Sequence, residues 1–339
     1  MRHPRYPLLP KVGMTLAPLL LALACVRPIR QLIREGFDFD VIDAHYYYPD
    51  GVAAAWLARH FGKPLAITAR GTDLNLITQH ALPRRMMQWA ASRAQASIGV
   101  CKALVDVLRD WQIDPQRLHV MRNGVDLQRF RWQPAEETRT ALGLGPDEGP
   151  LLLSVGHLIE RKGHDLVIEA LAALLPTLPQ ARLAIIGEGP EHAALQALAA
   201  RLGVAQHVTF TGALPQTELP RWYSAADLLV LASSREGWAN VLLEAMACGT
   251  PVVATRIWGT PEVVASADAG CRVDERSGPA LAQGVVRLLA ALPARAAVRA
   301  YAEGFSWDET SRRQVALFRA LAAQAGSTSQ RPTVAGSHA

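Results

Sequence analysis

No two of the four cysteines, Cys25, Cys101, Cys248 and Cys271, stand in C-x-x-C spacing, and all four lie in apolar surroundings. They read as reduced, buried thiols of a cytoplasmic protein. The ten histidines are scattered with no H-E-x-x-H arrangement, so no metal site is expected. A Lys/Arg block with interleaved aromatics is also missing, which sets nucleic acid aside as a partner. Charged residues make up only 19% of the chain, and the net charge is +5. An anionic ligand or an anionic membrane surface fits that balance.

Long apolar runs are scarce too. "MTLAPLLLALACV" (14–26) is too short to span a bilayer. Preceded by Arg2, Arg5 and Lys11 and ending in "LALAC", it mimics a secretory or lipoprotein signal. Ala22, however, stands where a lipoprotein signal normally carries leucine. The continuation "VRPIRQLIREGFDFDVIDAH" keeps an amphipathic pattern up to a strand, so the segment reads as a helix of the folded domain with an apolar face.

What the chain does have is length and apolar content. Its 339 residues, half of them hydrophobic, suffice for two domains with real cores. Strand-like runs at "DVIDAHY", "PLAITAR", "ASIGV" and "LHVMRNG" alternate with helical stretches. After a polar, Gly/Pro-rich segment (129–150) the pattern restarts with "LLLSVG", "ARLAIIGEG", "HVTFTG", "DLLVLAS", "PVVAT" and "AGCRV". Such alternation predicts an α/β architecture of two doubly wound parallel sheets. The expected division is a first domain over 1–128, a linker over 129–150 and a second domain over 151–305. A C-terminal helix over 306–323 and a disordered tail over 324–339 follow. Ligands of such sheets bind at the carboxyl ends of strands.

The stretch "REGWANVLLEAMACGTPVVAT" (235–255) sets Glu236 and Glu244 eight positions apart around a helix start. Surface charge is one reading, but Glu244 has apolar neighbours. A glycosidase-like pair needs a separation of roughly 5–9.5 Å. Eight residues of continuous helix rise about 12 Å and turn about 80° out of register. The spacing better suits an extended ligand gripped at two points, with an anionic middle near free helix amides. A nucleotide-sugar has that shape.

The strand "LLLSVG" delivers "HLIERKGHDL", where Arg161 and Lys162 precede Gly163 and a helix start. Two cations there would neutralise a diphosphate and stabilise a departing nucleotide. "GEGPEHAAL" (187–195) lacks the third glycine of a dinucleotide fingerprint and is weak evidence for NAD. Small residues at "FTGAL" (210–214) would let a flat base approach the backbone.

In that order and spacing, "SVGHLIERKG", "GEGP", "FTGAL" and "SSREGWANVLLEAMACGTPVVAT" resemble the retaining GT-B glycosyltransferases of family 4. "DAHYYYPDG", "ITARGTD" and "RNGVDLQRF" resemble that family's acceptor-side motifs. The resemblance implies two Rossmann-like domains facing a cleft, a UDP- or GDP-linked sugar donor, no cofactor and no required metal. It places Glu236 at the transferred sugar, Glu244 on the ribose hydroxyls and Lys162 on the diphosphate, with Arg161 beside it. Gly237, Trp238, Ala239, Asn240 and Val241 would hold sugar and phosphate. Gly156, His157, Gly187, Gly189, Gly212 and Ala213 complete the donor side, and Arg70 and Asp73 stand on the acceptor side.

Three departures qualify it. His157 stands where the family often has arginine, which weakens the diphosphate grip unless His157 is protonated or Arg161 substitutes. Arg70 replaces the histidine of the family's "HGxD", a poor base but able to bind an anionic acceptor or donor phosphate. Asp73 keeps its place, with a helix-cap or turn role as the alternative. The family's opening strands and glycine-rich loop have no counterpart, so the first domain reads as incomplete and the chain as N-terminally truncated. "FDFD" (37–40) mimics a metal-binding D-x-D but precedes a strand, so Asp38 and Asp40 read as turn residues.

The expected function is retaining glycosyl transfer to a hydroxyl acceptor, a glycan or a lipid-linked one, in surface polysaccharide or glycoconjugate synthesis. It would take place in the cytoplasm or at the inner face of the membrane. A GT-B sugar-nucleotide epimerase and a catalytically weak nucleotide-sugar-binding subunit are the rivals.

Overall fold

The computed structural model describes residues 3–7, 13–145 and 149–329. Arg2 and Lys11 of the signal-like flank and the tail 330–339 lie outside the described residues. The chain divides into two compact units, one formed by 1–121 with 309–339, the other by 122–308.

The first unit carries a parallel sheet of four strands: β1 (Ile42–His45), β2 (Leu65–Ala69), β3 (Ala96–Gly99) and β4 (Leu118–Val120), in that spatial order. Register runs Ile42 to Leu65, Ala66 to Ala96 and Ser97 to Leu118. β2 and β3 are buried along their whole length. A parallel sheet covered by helices on both faces demands such uninterrupted apolar runs. The helices Val52–Phe61, Ala81–Arg93 and Lys102–Asp110 make the crossovers.

The second unit carries six parallel strands: β5 (Leu151–Val155), β6 (Arg182–Ile186), β7 (Val208–Gly212), β8 (Leu228–Leu231), β9 (Val252–Thr255) and β10 (Gly270–Val273). Their spatial order is β10-β9-β8-β5-β6-β7. From β5 the chain winds outward to β7, then returns to lay β8 on the other side of β5. The order therefore reverses between β5 and β8. Leu152, Ile168, Leu171, Leu183, Val230 and Leu281 belong to the core beside this sheet. All ten strands coincide with the ten runs read from the sequence.

The boundary differs from the expected linker at 129–150. The division falls between Met121 and Arg122, and 129–150 belongs to the second unit. Backbone and side-chain anchorage to the rest of the second unit explains the shift. Val125 bridges to Ser306, and Phe130 packs its ring against Tyr223. Arg299 donates to the carbonyls of Leu127 and Phe130. Within the segment, Ala135–Ala141 is helical, and Arg139 there pairs with Asp227 at 2.6 Å.

The last helix runs Trp307–Ser329, so 324–329 continue a helix instead of starting a disordered tail. From Glu309 it belongs to the first unit, where Leu317, Phe318 and Leu321 pack with Val41, Ala66 and Ala96. The first helix is also longer than its apolar run. Gly13–Arg34 is one helix of 22 residues, long and apolar enough by composition to cross a membrane. Its Leu21, Ala22, Cys25 and Ile29 pack with Ala53 and Leu57, which gives the segment a place in the fold. The four cysteines form no disulfide, and Cys101 and Cys248 are buried.

Candidate active site

The second unit concentrates polar groups at the carboxyl ends of β5 and β8, where the strand order reverses. In open α/β sheets that point leaves a crevice into which loops from both sides project. The loop after β5 makes a turn over Glu160–Lys162 and enters the helix His164–Leu174 at Gly163, which has φ +71°. A side chain at Gly163 would meet the Ala232 carbonyl at 2.3 Å, so glycine permits the close approach of the two loops. The Ser234 amide donates to the Arg161 carbonyl at 2.9 Å. Arg161 in turn donates through Nη1 to the Arg235 carbonyl at 2.9 Å.

These ties bring Lys162 and Glu236 into direct contact. Lys162 Nζ donates to Glu236 Oε1 at 2.5 Å, and Ser233 Oγ donates to the same oxygen at 2.8 Å. Arg161 Nη1 lies 3.6 Å away. Glu236 is 8% exposed, so its charge depends on these partners. Both cations and the first glutamate of the motif thus share one cluster, positioned by two neighbouring strands. From the sequence Lys162 and Glu236 fall on different parts of a ligand, and their direct pairing is not legible there. Ser233 does not stand out there either.

Glu244 occupies a different environment. It lies in the helix Asn240–Ala247 and accepts from the Tyr223 hydroxyl at 2.9 Å. Burial raises its pKa, while the Tyr223 hydrogen bond and the Arg129 charge pull it down. It opens on a cleft of about 560 Å3 lined also by Arg129, Gln216, Asn240, Trp307 and Asp308. Arg129 donates to Gln216 Oε1 at 2.6 Å. Lys162 and Glu236 do not line that cleft, so the structure joins the first glutamate to the cations and leaves the second apart. Between them, Gly237, Trp238 and Ala239 are buried, Val241 is half-buried and Asn240 is exposed at the helix start.

The glycines divide by environment. At Gly187, with φ +146°, a Cβ would fall 1.9 Å from the Gly156 carbonyl. Backbone packing between the loops after β5 and β6 alone requires glycine there. Gly189 sits similarly against the Leu158 carbonyl, at 2.4 Å. Gly156 faces the Lys162 side chain, whereas Gly212 has open space around it. His157 and Ala213 are exposed.

His164, which opens the helix after Gly163, is 3% exposed and places Nδ1 2.9 Å from Ser154 Oγ. Burial pulls its pKa down from 6.5 to about 4. Above pH 6.5 the ring is neutral in both folded and unfolded chains. Between those values the unfolded chain takes up a proton that the folded one refuses, so stability falls as pH falls. A loss of roughly 3 kcal/mol is expected across that window. Urea midpoints at pH 7 and pH 4.5 should fall further apart for the unaltered chain than for His164→Gln; equal shifts would contradict the assignment.

In the first unit, Arg70 follows β2 and donates from Nε and Nη2 to His45 Nδ1, at 3.1 and 2.5 Å. His45 Nε2 lies 3.1 Å from Asp43 Oδ2. Asp73 is fully buried, and its carboxylate accepts from the backbone amides of Tyr47, Arg70 and Gly71. Asp73 therefore holds the turn after β2. Asp38 of "FDFD" pairs with Lys63 at 2.7 Å, outside any strand. Among the described residues no cluster of His, Cys, Asp or Glu could hold a metal ion.

Two units, each built on a parallel sheet flanked by helices, have the architecture of GT-B glycosyltransferases. Residues 137–305 match the family of glycosyl transferases group 1, and residues 3–129 match glycosyltransferase family 4. The chain is 35% identical over 308 residues to the D-inositol 3-phosphate glycosyltransferase of Frankia alni. That match covers 83% of this chain and 74% of the relative. Among solved structures, Anabaena HepE in complex with UDP has a TM-score of 0.78 at 21% identity, covering 92% of this chain and 84% of its own. Sucrose-phosphate synthase from Thermosynechococcus elongatus has a TM-score of 0.77 at 24% identity, with 93% and 81% covered. The protein belongs to glycosyltransferase family 4.

Proposed function

We propose that the protein transfers a sugar from a UDP- or GDP-linked donor to a hydroxyl of a glycan or lipid-linked acceptor, with retention at the anomeric carbon. The bond from that carbon to the diphosphate oxygen breaks, the acceptor oxygen bonds the carbon in its place, and the hydroxyl proton passes to the departing diphosphate. The observation that supports this most is the meeting of Lys162, Arg161 and Glu236 across the β5/β8 reversal. Cations there would bear the charge that grows on the departing diphosphate. The UDP bound by the HepE structure is in keeping with such a donor. The D-inositol 3-phosphate of the relative's name is in keeping with a hydroxyl acceptor that carries an anionic group. Arg70 is the residue we assign to such a group. Surface polysaccharide or glycoconjugate synthesis in the cytoplasm is the setting we assign.

A thermal-shift screen of nucleotide-sugars tests the reading, because a ligand that binds only the folded chain raises its melting temperature. One UDP- or GDP-sugar should raise it in a saturable way; no shift with any of them would count against the reading.

Glu244 is proposed to hold the ribose hydroxyls. Glu244→Ala should weaken nucleoside diphosphate binding by about 1.5–3 kcal/mol, the worth of a charge-assisted hydrogen bond. Titration calorimetry reads this directly, and unchanged affinity would remove Glu244 from the site.

Arg161 and Lys162 supply positive charge at the leaving group, so transfer is proposed to need no metal. EDTA should leave turnover intact. Loss of activity with EDTA and rescue by Mn²⁺ would contradict this.

A further inference from the structure

The helix Gly13–Arg34 has a second face that the fold leaves exposed. Leu16, Leu19, Leu23, Arg27, Arg30 and Arg34 recur at spacings of three and four residues, which puts them on one side of the helix. All six are exposed, Leu23 to 62% and Leu19 to 45%. The opposite side carries the contacts to Ala53 and Leu57. The stripe is therefore apolar along its first half and basic along its second. Between Gly13 and Arg34 there is no Asp or Glu. Arg30 contacts the His60 ring and Arg34 the Arg30 carbonyl.

We propose that this stripe lies in the surface of an anionic lipid bilayer. Leu16, Leu19 and Leu23 would enter the boundary between headgroups and acyl chains, while Arg27, Arg30 and Arg34 meet lipid phosphates. An interfacial helix needs this combination of one apolar strip and nearby cations. The charge distribution decides between occupants. A second copy paired in parallel would set three arginines against three, and paired antiparallel would set them against leucines with no acidic partner, whereas an anionic bilayer complements both halves of the stripe. A spanning helix would have to give up the packing of Ala22 on Ala53 and Leu57, so the helix rests on the membrane with its inner face still in the protein. This inference does not depend on the donor reading.

The test is co-sedimentation of the full chain with vesicles of phosphatidylcholine alone and with phosphatidylcholine–phosphatidylglycerol mixtures. Binding should favour the mixed vesicles and fall steeply as salt rises. Each arginine near the surface is worth roughly five-fold, so Arg27→Gln/Arg30→Gln/Arg34→Gln should lose about a hundred-fold in partitioning. Leu19→Ser/Leu23→Ser should lose about tenfold or more. Val286→Ser, at an exposed site in the second unit, should bind as the unaltered chain does. Should a helix variant fail to fold, the lipid and salt dependence of the unaltered chain still decides. Four results would overturn the proposal: equal binding to both vesicle types, variants that bind normally, resistance to alkaline carbonate extraction, or a lipid-free dimer that the leucine variant dissociates.

Discussion

Lys162→Ala is expected to lower the rate of sugar transfer by about 10²–10³-fold, the usual cost of removing one preorganised electrostatic donor. Lys162 is the cation closest to Glu236, at 2.5 Å, and is held by a turn that Gly163 fixes against Ala232. Its charge is therefore in place before any ligand arrives, so little reorganisation is needed as the diphosphate departs. Arg161, at 3.6 Å from the same carboxylate, keeps some positive charge nearby. The loss should accordingly appear in kcat more than in donor KM. Wild-type turnover in Lys162→Ala would reduce this lysine to a charge serving stability alone, which denaturation of the same variant would reveal.

Glu236→Ala is expected to damage turnover more than nucleotide binding, because the sugar is its proposed partner and Glu244 is the residue proposed to hold the nucleoside. The loss of transfer should also reach about 10²-fold, since Lys162 and Ser233 would lose the group that orients them. Removing one member of a buried ion pair can cost about 3–5 kcal/mol of stability. Glu236→Gln therefore belongs beside it, as it keeps an acceptor for Ser233. If Glu236→Gln folds normally, loses transfer and still binds nucleoside diphosphate, the role in chemistry stands. Equal loss of nucleoside diphosphate affinity in the Glu236 and Glu244 variants would contradict the division of roles.

The strands were legible because parallel strands covered on both faces must be continuous apolar runs, and "LLLSV" or "DLLVL" admit few other readings. Contacts across the sheet were not. Lys162 and Glu236 meet only because β8 returns to lie beside β5, an order that spacing along the chain does not encode. Tyr223 is hidden for the same reason: its hydroxyl reaches Glu244 from another helix. Ser233 carries a weak local signal, standing three residues before Glu236 in "SSREG". The boundary was misplaced because polar, Gly/Pro-rich composition marks exposed turns as readily as linkers. Here Phe130 and Arg139 anchor such a stretch to the second unit. Gly187 and Gly189 carry a second requirement that their motif does not announce, since backbone packing between loops already demands glycine at both.

The most direct measurement follows donor and acceptor together by NMR during turnover with the nucleotide-sugar that raises the melting temperature. Nucleoside diphosphate should appear in step with glycosylated acceptor, and the new linkage should keep the anomeric configuration of the donor. Lys162→Ala should slow both signals equally. An epimerised nucleotide-sugar, a product of inverted configuration, or bound donor that is never consumed would contradict retaining transfer by this site.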